Sequence, residues 1–147
     1  MLEPFRKYAT FSGRARRLEY WSFQFLVTAI LVGLLVWFLS TFDTALVTAT
    51  TPDAMMAEVE AAMGSRSETA LWAIFLFSLV TFLPSFAVSV RRLHDSDKSG
   101  WWILLSAVPF GALVLFIFYL LDGTRGPNRF GPDPKGRPAP IYPQPGG

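Results

Sequence analysis

SFQFLVTAILVGLLVWFLSTF, residues 22–42, contains no Asp, Glu, Lys, Arg or His. A helix rises about 1.5 Å per residue, so about 20 such residues cross a hydrocarbon layer about 30 Å thick. Working outward, two more stretches of this kind follow: ALWAIFLFSLVTFLPSFAVSV at 70–90 and WWILLSAVPFGALVLFIFYLL at 101–121. The reading is an all-α integral membrane protein with three membrane-embedded helical segments, at about 22–42, 70–90 and 101–121, plus short interfacial helices.

At 147 residues and 52% hydrophobic, the chain is too apolar for a soluble domain and too short for several domains. Residues 1–134 read as one membrane domain. The Pro- and Gly-rich end, 135–147, reads as a disordered tail. Lack of cysteine excludes disulfides and thiol chemistry, and the single His excludes a multi-histidine metal centre; no cofactor is expected. A unit this small buries little helix-to-helix surface alone, so a homo-oligomer or a larger membrane-protein partner is expected. The first stretch follows Arg14, Arg16 and Arg17 as a leader's apolar region would, but it exceeds the roughly 7–15 residues of such a region and reads as an anchor.

Lys and Arg mark the inner side of a membrane. Residues 1–21 carry five of them, the acidic loop 43–69 only Arg66, the loop 91–100 three, and the tail from Asp122 four. The N-terminus and the 91–100 loop are therefore placed in the cytoplasm and the loop 43–69 in the periplasm. If the third stretch crosses, the split is eight inside against five outside; if it enters and returns, it is twelve against one. Pro109-Phe110-Gly111 supplies the break, since proline lacks a donor and glycine permits a sharp bend. The third segment is thus read as kinked or re-entrant there, with the tail cytoplasmic. A single kinked crossing is the alternative.

Thr51-Pro52-Asp53 reads as a helix start, with Thr51 as cap and Pro52 at the first helical position. It opens a short helix whose Met55, Val59 and Met63 form a hydrophobic contact face rather than a metal site. Ser65-Arg66-Ser67-Glu68 has the form of a capping box at the start of the second span. Gln24, Thr28, Ser85, Ser89 and Ser106 lie in the same leaflet as Pro84 and Pro109. The simpler reading is that they satisfy local backbone, the alternative that they line a cavity open to the inner leaflet. With no ionisable group embedded, proton pumps, voltage sensors and ion-coupled transport are disfavoured.

Three motif-rich segments border the spans: FSGRARRLEYW at Phe11 to Trp21, RRLHDSDKSGWW at Arg91 to Trp102, and GTRGPNRFGPDP at Gly123 to Pro134. The middle one reads as a tight inner turn. In this order the three resemble the family called domain of unknown function 805, whose patterns F-x-G-R-x-x-R-x-E-[YF]-W, R-R-L-H-D-x-x-x-S-G-W-W and G-x-x-G-x-N-R-[FY]-G-P-D-P they match. The resemblance covers almost the whole chain and implies a small protein of the bacterial inner membrane, without an established activity. The long acidic loop with Met55 to Met63 departs from the usual pattern.

Arg14, Arg17, Arg91 and Arg92 are expected to pair with Glu19, Asp95, Asp97 and Asp133 in a cytoplasmic cap that ties the helix ends together. In a competing reading the surplus arginines, Arg129 among them, join His94 and Asn128 in holding an anionic headgroup or phosphate. His94 beside Asp95 and Asp97 has the composition of an acid–base or metal site. Adjacent residues point in different directions, however, and no nucleophile motif, phosphate loop or HExxH helix accompanies them, so no enzyme is expected. The basic residues follow span boundaries, so no nucleic acid is expected. The expectation is a membrane interaction or assembly module with membrane lipids as partners, its basic cap binding anionic headgroups. A small channel or transporter subunit for a neutral or anionic solute is the alternative.

Overall fold

The computed structural model describes residues 8–40, 50–62 and 65–140. These form helices α1 (Arg17–Leu39), α2 (Pro52–Ala62), α3 (Ser65–Asp95), a 3-10 helix (Gly100–Ala107) and α4 (Gly111–Leu120). No strand occurs among the described residues; Asn128 and Gly131 make an isolated bridge. Two compact units emerge, residues 1–24 with 83–147 and residues 25–82, and α1 and α3 each contribute to both.

α1 and α3 are long and apolar enough to cross a membrane, yet their most apolar stretches are only 11% and 28% buried within the protein. A core helix of a soluble protein would be mostly buried; these apolar surfaces require an apolar solvent. α1 starts before its apolar stretch and ends at Leu39, and α3 extends past its stretch at both ends, because hydropathy marks where lipid-compatible side chains stop and not where backbone bonding stops. The largest correction falls at the end of α3. The inner turn read at Arg91 to Trp102 is helical through Asp95, so Arg91, Arg92, His94 and Asp95 sit on the last helical turns. The helix ends in a Schellman motif: the Lys98 N–H donates to the Leu93 carbonyl, the Asp97 N–H to that of His94, and Asp97 adopts φ 56°.

In the unit of residues 25–82, α2 starts where the sequence puts it, with Thr51 Oγ1 accepting from the Ala54 N–H at 3.3 Å. Met63 lies outside the described residues, so the Met55–Met63 face is described only as far as exposed Met55. Ala70 and Thr81 are buried, and the Thr81 hydroxyl donates to the Phe77 carbonyl one turn back.

In the other unit, Ala15, Tyr20, Phe23, Ala87, Val88, Leu93, Leu115 and Tyr119 form the apolar core. Trp21 meets Phe116 edge-on at 5.7 Å and Tyr20 lies 4.5 Å from Tyr119, fixing the start of α1 against α4. The third apolar stretch is two pieces. Its first arm is a 3-10 helix where an α-helix is expected, and it packs on α4 through Trp102 and Phe118. Extended Val108 and left-handed Phe110 (φ 62°) make the turn. A Cβ at Gly111 would lie 1.8 Å from the Leu105 carbonyl oxygen, so only glycine fits. At about 2.0 Å per residue the eight-residue 3-10 arm reaches about as far as the ten-residue α arm at about 1.5 Å.

Candidate functional site

The polar residues of this unit gather where the N-terminal segment, the end of α3 and the chain after α4 meet. The Ala15 N–H donates to the Arg91 carbonyl at 3.0 Å and the Thr124 N–H to that of Asp95 at 2.9 Å, which fastens both segments to the end of α3. Asp95 is the centre. Its Oδ1 accepts from Arg14 Nε at 2.9 Å and its Oδ2 from Arg92 Nη1 at 2.8 Å, with all three side chains at most 2% exposed. A Cβ on Gly123 would fall 2.1 Å from that carboxylate, so glycine here makes room for the ion triad.

The guanidiniums spend their other donors on backbone. Arg14 Nη1 donates to the Gly126 carbonyl at 2.8 Å and Nη2 to that of Thr124 at 2.6 Å; Asp133 lies 3.9 Å away. Arg92 donates to the carbonyls of Tyr119 and Leu121, which α4 leaves without intrahelical partners at its negative end. Exposed Arg17 adds the Leu120 carbonyl at 3.2 Å and lies 3.6 Å from Asp122. Arg91 Nη1 bonds Glu19 Oε1 at 2.8 Å, while its buried Nε and Nη2 have no partner among the described residues.

The remaining expected site residues serve the chain after α4. The Asn128 amide donates to the His94 carbonyl at 2.8 Å and to Thr124 Oγ1 at 3.0 Å, and its oxygen accepts from the Phe130 N–H. His94 stacks face to face on Phe130 with centroids 3.8 Å apart, and its Nδ1 lies 3.2 Å from the Gly13 carbonyl. Arg129, 61% exposed, pairs with exposed Asp97 at 3.2 Å and covers the Phe130 ring. His94, Asp95 and Asp97 thus face three separate sets of partners and do not converge on a common metal or substrate position.

A second ionic cluster lies where the sequence shows only a tail. Asp122 accepts from Lys135 and Arg137, and Asp133 from Arg137 Nε at 2.8 Å. Hydrogen bonding from Lys135 lowers the Asp122 carboxyl from 3.8 to about 2; desolvation opposes this, and the Lys135 charge, the Gly123 N–H and the Arg137 charge add to it. Burial would raise Asp133, but bonds from Arg137 and the Lys135 N–H, with the charges of Arg137 and Arg14, bring it to about 2. Residues 141–147 lie outside the described residues. Sequence reasoning missed Asp122, Gly123, Phe130 and Arg137; the tail motif contains Gly123 and Phe130, but its spacing does not say what they touch. Ser89 and Ser106 donate to carbonyls of their own helices, Ser85 and Ile103, as local backbone satisfaction requires.

Residues 8–132 match the model of the family described as "Protein of unknown function (DUF805)". The chain is 41% identical over 135 residues to "Inner membrane protein YhaI" of Escherichia coli (strain K12), covering 91% of this chain and 93% of that protein. It is also 41% identical over 138 residues to "Inner membrane protein YhaH" of the same strain, covering 93% and 97%. No solved structure matches the chain.

Proposed function

The chain belongs to the DUF805 family of small inner-membrane proteins, and from that premise we propose that it is a membrane interaction module held together by its cap. One observation carries this: Arg14 and Arg92 are buried and engaged with the protein itself, and Arg91 is buried with its Nη1 on Glu19, while the apolar faces of α1 and α3 are exposed. An arginine committed to Asp95 and to backbone carbonyls is unavailable to a headgroup or a solute. Headgroup contact therefore falls to exposed Arg16, Arg17, Arg125 and Arg129, whose charge attracts anionic lipid at the inner surface. The outward apolar faces meet lipid tails, a second copy or a larger membrane protein.

In this reading the N-terminus and the chain after α4 lie on the cytoplasmic side, the loop 43–69 lies outside, and the third segment enters and returns. Support comes from Arg14, which bonds the carbonyls of Thr124 and Gly126 and so holds both ends of the chain together. The matched reach of the two arms and the turn at Phe110 fit a hairpin.

Extraction in native-lipid particles, with mass spectrometry of retained lipids and proteins, tests the proposal. We expect anionic lipid enriched over the bulk membrane and reduced in an Arg16→Gln, Arg17→Gln, Arg125→Gln variant of unchanged helicity. Bulk-like lipid around both proteins, or reproducible solute flux in liposomes, would overturn it.

A further inference from the structure

Between the last turns of α3 and the 3-10 helix lies a hollow of about 320 Å³, walled by Phe86, Val90, Trp101 and Leu104, at the small end of the range for ligand pockets. Its lining contains no Asp, Glu, Lys or Arg; its polar members are His94 and Ser99. His94 is only 9% exposed. Because its Nδ1 faces the Gly13 carbonyl, an acceptor, that nitrogen carries the proton and Nε2 presents a lone pair. Nε2 has no hydrogen-bond partner among the described residues. It is directed at Gly100, where a Cβ would lie 3.4 Å from Nε2 and 2.8 Å from Val90 Cγ1. Among the described residues no carboxylate compensates an imidazolium: Asp95 is turned to Arg14 and Arg92, and the ring's face is covered by Phe130, with Arg129 over that ring. Ser99 Oγ accepts from the Trp101 N–H at 3.4 Å, which leaves its own proton to donate.

We infer that this hollow binds a neutral amphiphile with a hydroxyl on an apolar body, the hydroxyl donating to His94 Nε2. Nε2 is reached from the hollow rather than sealed inside the protein, so a ligand hydroxyl can donate to it where no protein group does. The uncharged lining excludes a phosphate or carboxylate, which separates this site from the exposed arginines. The absence of a side chain at Gly100 leaves the acceptor open. A glycerolipid hydroxyl and a quinol hydroxyl share this chemistry.

The single histidine makes the test direct, because one imidazole alone reports. Full-length protein labelled with 15N-histidine, in lipid nanodiscs at pH 7.5, is titrated with dioctanoylglycerol and with octylhydroquinone, each beside its O-methylated analogue. We expect a Nδ1-protonated imidazole whose Nε2 resonance moves saturably with a hydroxylated probe and not with the methyl ether. A response to one probe alone identifies the source; a response to both confirms the shared chemistry. In a Gly100→Ala variant, and in Leu104→Trp at an exposed wall position that spares the packing, the half-saturating concentration should rise at least tenfold. A doubly protonated His94 before ligand, an unmoved Nε2 with both probes, an equal response to the methyl ethers, or unchanged titration in Leu104→Trp would each overturn the inference.

Discussion

The surroundings of Asp95 and the faces of α1 and α3 reverse the usual arrangement of a folded chain. Around Asp95, Arg14 and Arg92 are 1% and 0% exposed at the side chain, whereas Phe25 on α1 and Leu79 on α3 are 77% and 60% exposed. Two different forces hold this protein. Along the spans, apolar groups have no reason to leave an apolar solvent, so they contribute little to tertiary packing. At the cap, charges have left water, and only mutual pairing and backbone carbonyls make that tolerable. Specificity is concentrated where burial is polar.

The largest effect is expected from Asp95→Ala, which leaves two buried guanidiniums without their carboxylate. Loss of about 3–5 kcal/mol in denaturant unfolding from micelles is expected; a loss under 1 kcal/mol would mean that the cap is not a dry ion triad. Gly123→Ala tests the same carboxylate sterically. Its Cβ must displace Asp95 from both arginines, at about 1–3 kcal/mol.

The second ionic cluster sharpens the contrast through pH. Asp122 and Asp133 titrate near 2 when folded and near 3.8 otherwise. Each binds a proton less readily in the folded form, so each stabilises the docked tail above pH about 4 and loses that contribution as pH falls towards 2. A spin label on an Ala139→Cys variant should grow mobile over that window while helicity persists. The smallest effect belongs to the spans: Leu79→Ala should change stability by no more than about 0.5 kcal/mol. A loss of 2 kcal/mol or more would show that this face is packed against protein.

How much of this was legible depends on whether the cause lies in side chains or in backbone. The two long helices, the break at Pro109–Gly111 and the Thr51 cap follow from local residue chemistry, and the sequence shows all of them. The end of α3 follows only in part: the pairing of Arg91 and Arg92 with carboxylates is expected from their charge, and Glu19 and Asp95 are those carboxylates, but the helical form of the turn and the rest of the bonding are not. The further partners are backbone carbonyls, those of Tyr119 and Leu121 for Arg92 and those of Thr124 and Gly126 for Arg14, which every residue possesses and no side-chain pattern reveals. Gly123 is invisible for the same reason: its role is the space it leaves for Asp95. The 3-10 form of the first arm also escapes a reading by periodicity, since the stretch is apolar on every side.

In the proposed topology the chain after α4 returns to the side of the N-terminus. Because the protein contains no cysteine, single cysteines at exposed Ser12, Thr50 and Ala139 can be labelled from each face of sealed vesicles with a membrane-impermeant maleimide. Ser12→Cys and Ala139→Cys should react from the same face and Thr50→Cys from the opposite one. Reaction of Ala139→Cys from the Thr50 face would contradict it.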